Sequence, residues 1–308
     1  VMSKLSFLAS VSQTRSVLEQ HGLMTKKALG QHFLINDGIV QRICDLAELT
    51  QEDKVIEVGP GIGTLSVALL QRAGKLIAIE RDTDLPQVLA QTCKPWQDSF
   101  TLISGDALEV APEDLSFVPN KLVSNLPYAV AATIVLDYFE RFQSIESQTI
   151  MVQAEVADRM CAKPGTKNYG AYTVKLGLWA AFAGRFSVSE GNFFPPPRVK
   201  SAVIRLDRKR DVLPDDLRRA TMVMADAAFA TRRKTIANSM KTYFSNPQSI
   251  TGSFDQNSSV AILPEDIVPH IGDLLLQAGI PANARGESLE QDQFIALGKA
   301  YLQLRETL

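Results

Sequence analysis

The chain has 308 residues, 45% hydrophobic and 21% charged, with a net charge of −2. This is ordinary globular composition, which excludes a disordered or collagen-like polymer and, at about 150 residues per domain, predicts about two domains. No run reaches the roughly 20 apolar residues needed to cross a bilayer. Val1–Ser10, with a lone Lys4, lacks the layout of a secretory leader. Cys44, Cys93 and Cys161 lie too far apart for a C-x-x-C pair or a disulfide framework, so a reducing, cytoplasmic setting is expected.

In chain order, Gly38–Leu49 reads as a helix ahead of a series of short apolar strands. Strands are predicted over Val55–Val58, Leu76–Glu80, Phe100–Ser104, Lys121–Ser124 and Thr149–Gln153. Helices are predicted between them over Thr64–Arg72, Leu85–Gln91 and Ala131–Glu140. Such alternation predicts an α/β fold, a mostly parallel sheet covered on both faces. One more strand, Ser201–Leu206, follows the run Phe193–Pro197, and then the basic linker Asp207–Arg210 and Pro214 break the pattern. Beyond them Asp215–Phe229, Lys234–Phe244, Pro264–Ala278 and Leu289–Leu304 carry helical spacing, while Asn246–Ser259 is polar and turn-rich. The domain boundary is placed near Asp207–Leu213, with a smaller helical domain after it.

Charge is unevenly spread. Between Arg198 and Phe244 twelve basic residues face five aspartates, a local +7 that leaves −9 for the rest of the chain. By itself such a run reads as a solvated face; a nucleic-acid partner needs further support.

The sharpest local motif is Glu57-Val58-Gly59-Pro60-Gly61-Ile62-Gly63, after a strand and before a helix. Glycines at this spacing permit a tight turn and close approach of a ligand. The spacing is G-x-G-x-G, not the G-x-G-x-x-G that seats a pyrophosphate. An acid just before the loop suits a ligand bearing an amino group. The next strand ends in Glu80, placed to receive two ribose hydroxyls, and the third is followed by Gly105-Asp106-Ala107, whose carboxylate can accept from an adenine amino group. Each acid alone could be a solvated strand end or a turn cap. Together, at the ends of three successive strands, they describe an adenosine-containing ligand without a pyrophosphate. S-adenosylmethionine fits better than a nicotinamide dinucleotide.

The fourth strand runs into Asn125-Leu126-Pro127-Tyr128. An exocyclic amine is a poor nucleophile because its lone pair is delocalised into the ring. An Asn side-chain carbonyl and a backbone carbonyl held by Pro127 can both accept from it, turning the lone pair toward a methyl group and stabilising charge that develops on nitrogen. Tyr128 offers a face for stacking a base. A plainer reading makes Asn125 a helix cap and Pro127 a first-turn residue, which leaves the four-residue set unexplained.

In these motifs, taken in order, the chain resembles the bacterial small-subunit ribosomal RNA adenine-N6,N6-dimethyltransferases, over roughly Lys26 to Leu304. Gly30-Gln31-His32-Phe33-Leu34 matches the family's N-terminal motif, with His32 where many members have Asn. Phe193-Phe194-Pro195-Pro196-Pro197-Arg198-Val199 with Ser201-Ala202-Val203 matches its F-x-P-x-P-x-V element. Phe229 with Arg232-Arg233-Lys234-Thr235 matches its C-terminal basic motif.

The resemblance implies a class I, Rossmann-like methyltransferase domain with an N-terminal extension over 1–208 and a helical RNA-contacting domain over 209–308. It implies S-adenosylmethionine held by His32, Leu34, Glu57, Gly59, Gly61, Gly63, Glu80, Asp106 and Asn125. Catalysis would lie with Asn125, Leu126, Pro127 and Tyr128, and Phe193 would pair with Tyr128 to sandwich a flipped adenine; Phe194 is expected to pack in the core. Arg198, Arg232, Arg233 and Lys234 would contact RNA phosphates. The implied reaction gives two methyls to each of two adjacent adenosines in the hairpin near the 3′ end of small-subunit RNA in immature subunits. It is a direct displacement with no metal and no covalent enzyme intermediate, carried out by a cytoplasmic monomer. Three other readings compete: the large-subunit methyltransferase of macrolide resistance, a ribosome-assembly or transcription factor on the same fold, and a nicotinamide dehydrogenase. The motif forms, the intact Asn125–Tyr128 set and the glycine spacing speak against them respectively.

Overall fold

The structure is a computed structural model that describes residues 4–23, 32–211, 213–246 and 264–307. Gly30 and Gln31 of the N-terminal motif, and most of the turn-rich stretch after Asn246, lie outside the described residues. The chain divides into two units, Val1–Ala157 with Ala180–Arg208, and Asp158–Trp179 with Lys209–Leu308. Residues 158–179 thus belong with the helical unit, whereas the sequence places them before a single break at 208. Nothing in their composition marks the excursion, because helices occur on both sides of it.

The first unit opens with α1 (Val11–Gln20), β1 (Phe33–Leu34) and α2 (Asp37–Leu46), the last capped by Asn36, whose side chain accepts from the Gly38 and Ile39 amides. Then come β2 (Lys54–Val58), α3 (Thr64–Arg72), β3 (Lys75–Glu80), α4 (Pro86–Thr92), β4 (Phe100–Ser104), β5 (Lys121–Asn125), α5 (Ala131–Arg141) and β6 (Ser147–Gln153). After α6 (Ala154–Met160) and α7 (Ala171–Gly177), the chain returns through β7 (Ala180–Val188), β8 (Phe193–Phe194) and β9 (Ser201–Arg208).

Seven strands form one sheet in the order β4-β3-β2-β5-β6-β9-β7. Strands β2 to β6 run parallel to one another, and β9 is antiparallel to both β6 and β7. Val55, Ile56, Leu76, Ile77, Leu122 and Val123 are fully buried, as a parallel sheet covered on both faces requires. The strand β7 escapes sequence reading because it is a largely exposed edge with an irregularity between Phe182 and Gly184. Strand order reverses at β2, which has β3 on one side and β5 on the other, so a crevice opens beyond the carboxyl ends of these strands.

The second unit adds α8 (Asp215–Phe229), α9 (Ile236–Phe244), α10 (Pro264–Ile267), α11 (Ile271–Gln277) and α12 (Gln291–Thr307). Its own core includes Met224, Ile236, Met240, Phe294 and Leu297, all fully buried. The predicted helix Pro264–Ala278 is split by a 3-10 turn at Val268–His270, where Pro269 lacks the N–H a continuous helix needs.

Candidate active site

A cavity of about 250 Å³ lies at the carboxyl ends of β2, β3, β4 and β5, in the crevice expected from the strand order. Its floor is the turn after β2. Gly59, Gly61 and Gly63 have φ of +70°, +61° and +91°, the left-handed region that disfavours other residues. The Gly59 amide donates to the Ile79 carbonyl at 2.9 Å, tying the turn to β3. A Cβ on Gly59 would stand 3.3 Å from Pro127 Cγ, and one on Gly61 3.1 Å from the Phe33 ring. These two glycines border the cavity; Gly63 does not. Gly63 instead caps α3, and a Cβ there would meet Thr92 Oγ1 at 2.9 Å. At this position the glycine serves the turn into α3, where a side chain has no room.

Four carboxylates line the cavity, Glu57, Glu80, Asp82 and Asp106, and the three that the sequence singles out have different partners. Glu57 is 1% exposed and accepts from Ser66 Oγ at 2.6 Å. Burial outweighs that bond and, with the neighbouring Glu80 charge, pushes its pKa up to about 8. Glu80 accepts from the Gly61 amide at 3.1 Å and the Asp82 amide at 2.8 Å, and burial raises its pKa as well. It therefore fixes the glycine turn while keeping acceptor capacity for hydroxyls. Asp106 accepts from the Leu108 amide at 3.0 Å and pairs with Arg81 at 3.2 Å. The turn-capping reading of Asp106 and its place at the cavity are thus both true, and Arg81 is a neighbour the sequence did not single out.

On the other side stands the turn after β5. Asn125 Nδ2 donates to the His32 carbonyl at 3.3 Å, which orients the amide and leaves Oδ1 as its acceptor. The Leu126 amide donates to the Met151 carbonyl at 3.1 Å, and the Pro127 carbonyl accepts from the Val130 amide at 3.2 Å. The segment is thereby fixed from β6 on one side and by its own turn on the other. Leu126 and Leu34, both nearly fully buried, complete the apolar wall. The Tyr128 hydroxyl lies 2.7 Å from Ser201 Oγ, and burial raises its pKa. The Tyr128 and His32 rings are stacked, with centroids 5.9 Å apart and planes 25° from parallel. His32 Nδ1 lies 2.8 Å from the Pro195 carbonyl.

Phe193 is not brought here. It is 2% exposed, within the first unit's core. The two-residue strand β8 pairs antiparallel with β1, setting Phe193 opposite Leu34 and Phe194 opposite Phe33. The structure thus places Phe193 in the core beside Leu34 and not in the cavity lining with Tyr128. Phe194 packs against the same core, as expected, with the Arg15 guanidinium 5.0 Å from its ring centroid.

The basic zone is partly consumed by the fold. Arg205 pairs with Glu48 and Asp207, each at 2.7 Å. Arg208 donates to the carbonyls of Ile145, Phe139 and Phe142. Lys209 donates to the Gly177 carbonyl, and Arg218, paired with Asp215, lies 3.8 Å over the Trp179 ring. Arg232 is drawn to Glu287 at 3.3 Å and to the Lys167 carbonyl. Arg198, Arg233 and Lys234 are exposed. Among the described residues, no group of three His, Cys, Asp or Glu side chains could hold a metal ion, and no helix is long and apolar enough to cross a membrane.

The family model for ribosomal RNA adenine dimethylase matches residues 22–265. A ribosomal RNA small subunit methyltransferase A of Acidothermus cellulolyticus is 36% identical over 292 residues, covering 93% of this chain and 92% of that one. The protein of the same name from Rhodococcus opacus is 34% identical over 301 residues, covering 96% and 95%. A dimethyladenosine transferase from Plasmodium falciparum shares the fold, with a TM-score of 0.67 at 23% identity over 86% of this chain and 96% of that one.

Proposed function

The chain belongs to the ribosomal RNA adenine dimethylase family, and from that premise we propose that it dimethylates the exocyclic N6 amines of two adjacent adenosines near the 3′ end of small-subunit ribosomal RNA. The substrate is the RNA of an immature small subunit, met by a monomeric cytoplasmic enzyme. The observation that carries the reading is the convergence of Glu57, Glu80, Asp106 and Asn125 on one cavity at the switch point of the sheet.

That cavity suits S-adenosylmethionine by the chemistry of its donors and acceptors. Glu80 offers a buried carboxylate to ribose hydroxyls, Glu57 an acid to an ammonium group, and Asp106 an acceptor to an adenine amine. The left-handed Gly59 and Gly61 keep the floor clear of side chains. Arg81, the cation beside these acids, is already paired with Asp106, so the described lining offers no basic cluster to a pyrophosphate. When bound, S-adenosylmethionine supplies an electrophilic methyl group on a sulfonium.

The chain's own residues prepare the nucleophile. Asn125 Oδ1, turned by the bond from Nδ2 to the His32 carbonyl, accepts a hydrogen bond from one N6–H. The backbone carbonyl preceding Pro127 accepts the other. Both acceptors strengthen as positive charge develops on nitrogen, which is where preorganised dipoles act most. Leu126 and Leu34 exclude water beside them. Tyr128 stacks on the flipped base, and Arg198, Arg233 and Lys234 bind phosphates.

The test is incubation of immature small subunits with labelled S-adenosylmethionine, followed by mapping of the modified nucleotides. Two adjacent N6,N6-dimethyladenosines near the 3′ end are expected. Label elsewhere, or none, refutes the reading.

A further inference from the structure

We propose that Ser201 is a positioning residue for the methyl transfer: its buried hydroxyl tethers the rim of Tyr128 and so sets the ring on which the flipped adenine stacks. This rests on the methyl-transfer reading above, and it gives strand β9 a part in the reaction.

Ser201 opens β9 ahead of Ala202, Val203 and Ile204, and all four are fully buried. A hydroxyl in such a place must find a partner or bear the cost of losing water. Its hydrogen bond among the described residues is with the Tyr128 hydroxyl, at 2.7 Å. Alanine would continue the apolar strand equally well; what serine adds is this bond. The anchor is itself rigid. Ser201 stands opposite Gln153 of β6 and Val188 of β7. The neighbouring Lys200 carbonyl accepts from the Ala154 amide at 2.9 Å, so the start of β9 is held on both sides.

The tether joins two strands that are not neighbours, since β6 lies between β5 and β9 in the sheet. The turn after β5 is attached to β6 where the Leu126 amide meets the Met151 carbonyl, and Ser201 is registered two residues further along β6, at Gln153. Tyr128 therefore reaches across the end of β6 to its partner. Its backbone lies within the turn closed by the Pro127 carbonyl and the Val130 amide, and its rim is held by Ser201. A tyrosine side chain turns about two torsions, and a restraint at each end removes most of that freedom. The bond sits at the rim and occupies neither ring face. Burial raises the Tyr128 pKa, so the phenol keeps its proton at neutral pH. A stacking surface oriented in advance spares the bound base that ordering cost. Asn125 and Tyr128 share one short turn, so a ring held in place also holds the N6 amine beside the Asn125 acceptor.

Ser201→Ala, Tyr128→Phe and the double variant form a cycle. Each is assayed in single turnover on immature subunits over a range of enzyme concentrations, and for S-adenosylhomocysteine affinity by calorimetry. Ser201→Ala should lower the methylation rate at saturating enzyme about three- to tenfold, the scale of one hydrogen bond between uncharged groups. The enzyme concentration that gives half the maximal rate should not move, because docking on the subunit is left to the basic side chains. Tyr128→Phe keeps the ring and loses the tether, so it should fall by a similar factor. The double variant should be slower than either single variant by no more than about twofold. All three should bind S-adenosylhomocysteine like wild type, which certifies their fold. The proposal is overturned if Ser201→Ala keeps the wild-type rate, if the two losses multiply in the double variant, or if Ser201→Ala weakens cofactor binding as much as it slows transfer. Wild-type protein that binds S-adenosylhomocysteine but does not dimethylate the subunit would overturn the underlying reading, and this proposal with it.

Discussion

Glu57→Gln isolates the free energy of burying an acid at the cavity. The carboxyl is 1% exposed and its pKa stands at about 8 rather than 4.5. Below about pH 4.5 both folded and unfolded chains hold the proton, and the fold bears no penalty from this group. Between there and about pH 8 the unfolded chain ionises while the folded one does not, so stability falls as pH rises, by about 1.4 kcal/mol per pH unit. Over the whole interval the loss is on the order of 5 kcal/mol, complete once pH passes the folded value. Glutamine has nearly the same shape, can accept the Ser66 hydroxyl in the same way, and carries no proton to lose. The variant should therefore match wild type near pH 5 and exceed it increasingly toward pH 8. Urea unfolding across that range, followed at Trp96 in the first unit, measures the difference directly. A ligand ammonium beside Glu57 favours its ionised form, so S-adenosylhomocysteine binding near neutral pH should release protons in wild type and not in Glu57→Gln. This is read from the dependence of calorimetric enthalpy on buffer. A stability difference that stays flat with pH would refute the claim that Glu57 is held protonated.

Glu80→Ala should weaken S-adenosylmethionine binding about tenfold or more, since one charge-assisted bond contributes on the order of 1.5–3 kcal/mol; unchanged affinity by calorimetry would displace the ribose site. Asn125→Ala should lower single-turnover methylation by ~10²–10³, by analogy with removal of an oxyanion-hole donor, while cofactor affinity stays within a few-fold. Arg233→Ala with Lys234→Ala should flatten the salt dependence of subunit binding by about 0.7–0.9 logarithmic units for each phosphate no longer neutralised, with cofactor affinity unmoved. Arg232→Ala, because that side chain is engaged by Glu287 and the Lys167 carbonyl, should lower the unfolding temperature of the helical unit more than it alters that salt slope.

What the sequence discloses depends on whether the signal is local. The central strands are legible because burial on both faces makes each a short apolar run, and the ligand turn because three left-handed positions in five residues demand glycine. Glu80 and Asp106 follow from their place at strand ends. The position of Phe193 is not legible: it is set by pairing with Leu34, far away in the chain, and two-residue strands leave no periodicity. For the same reason the Tyr128–Ser201 and His32–Pro195 contacts, which join separate motifs, cannot be read from either motif alone. The basic zone misleads in a different way. Composition counts charges, whereas Arg205, Arg208 and Arg218 are engaged by carboxylates, carbonyls and an aromatic ring.

The excursion of residues 158–179 into the helical unit sets the timetable of synthesis. Leaving the ribosome, the chain emits this segment before β7 and β9, yet its partners follow them, from α8 to α12. The Tyr169 hydroxyl donates to the Leu289 carbonyl, and the Val174 carbonyl accepts from the Gln291 side chain. The sheet can therefore close while Tyr169 and Val174, both nearly fully buried at the end, still lie uncovered on the nascent chain. Their shelter begins with α8, where Phe229 meets the Tyr169 ring and Asp226 pairs with Lys175, and is completed by α12, so slowed translation after Arg208 prolongs the interval in which the growing polypeptide is most open to aggregation and to chaperones. A chain stopped there would hold all seven strands and, between β6 and β7, only Tyr169 and Val174 of the second buried core.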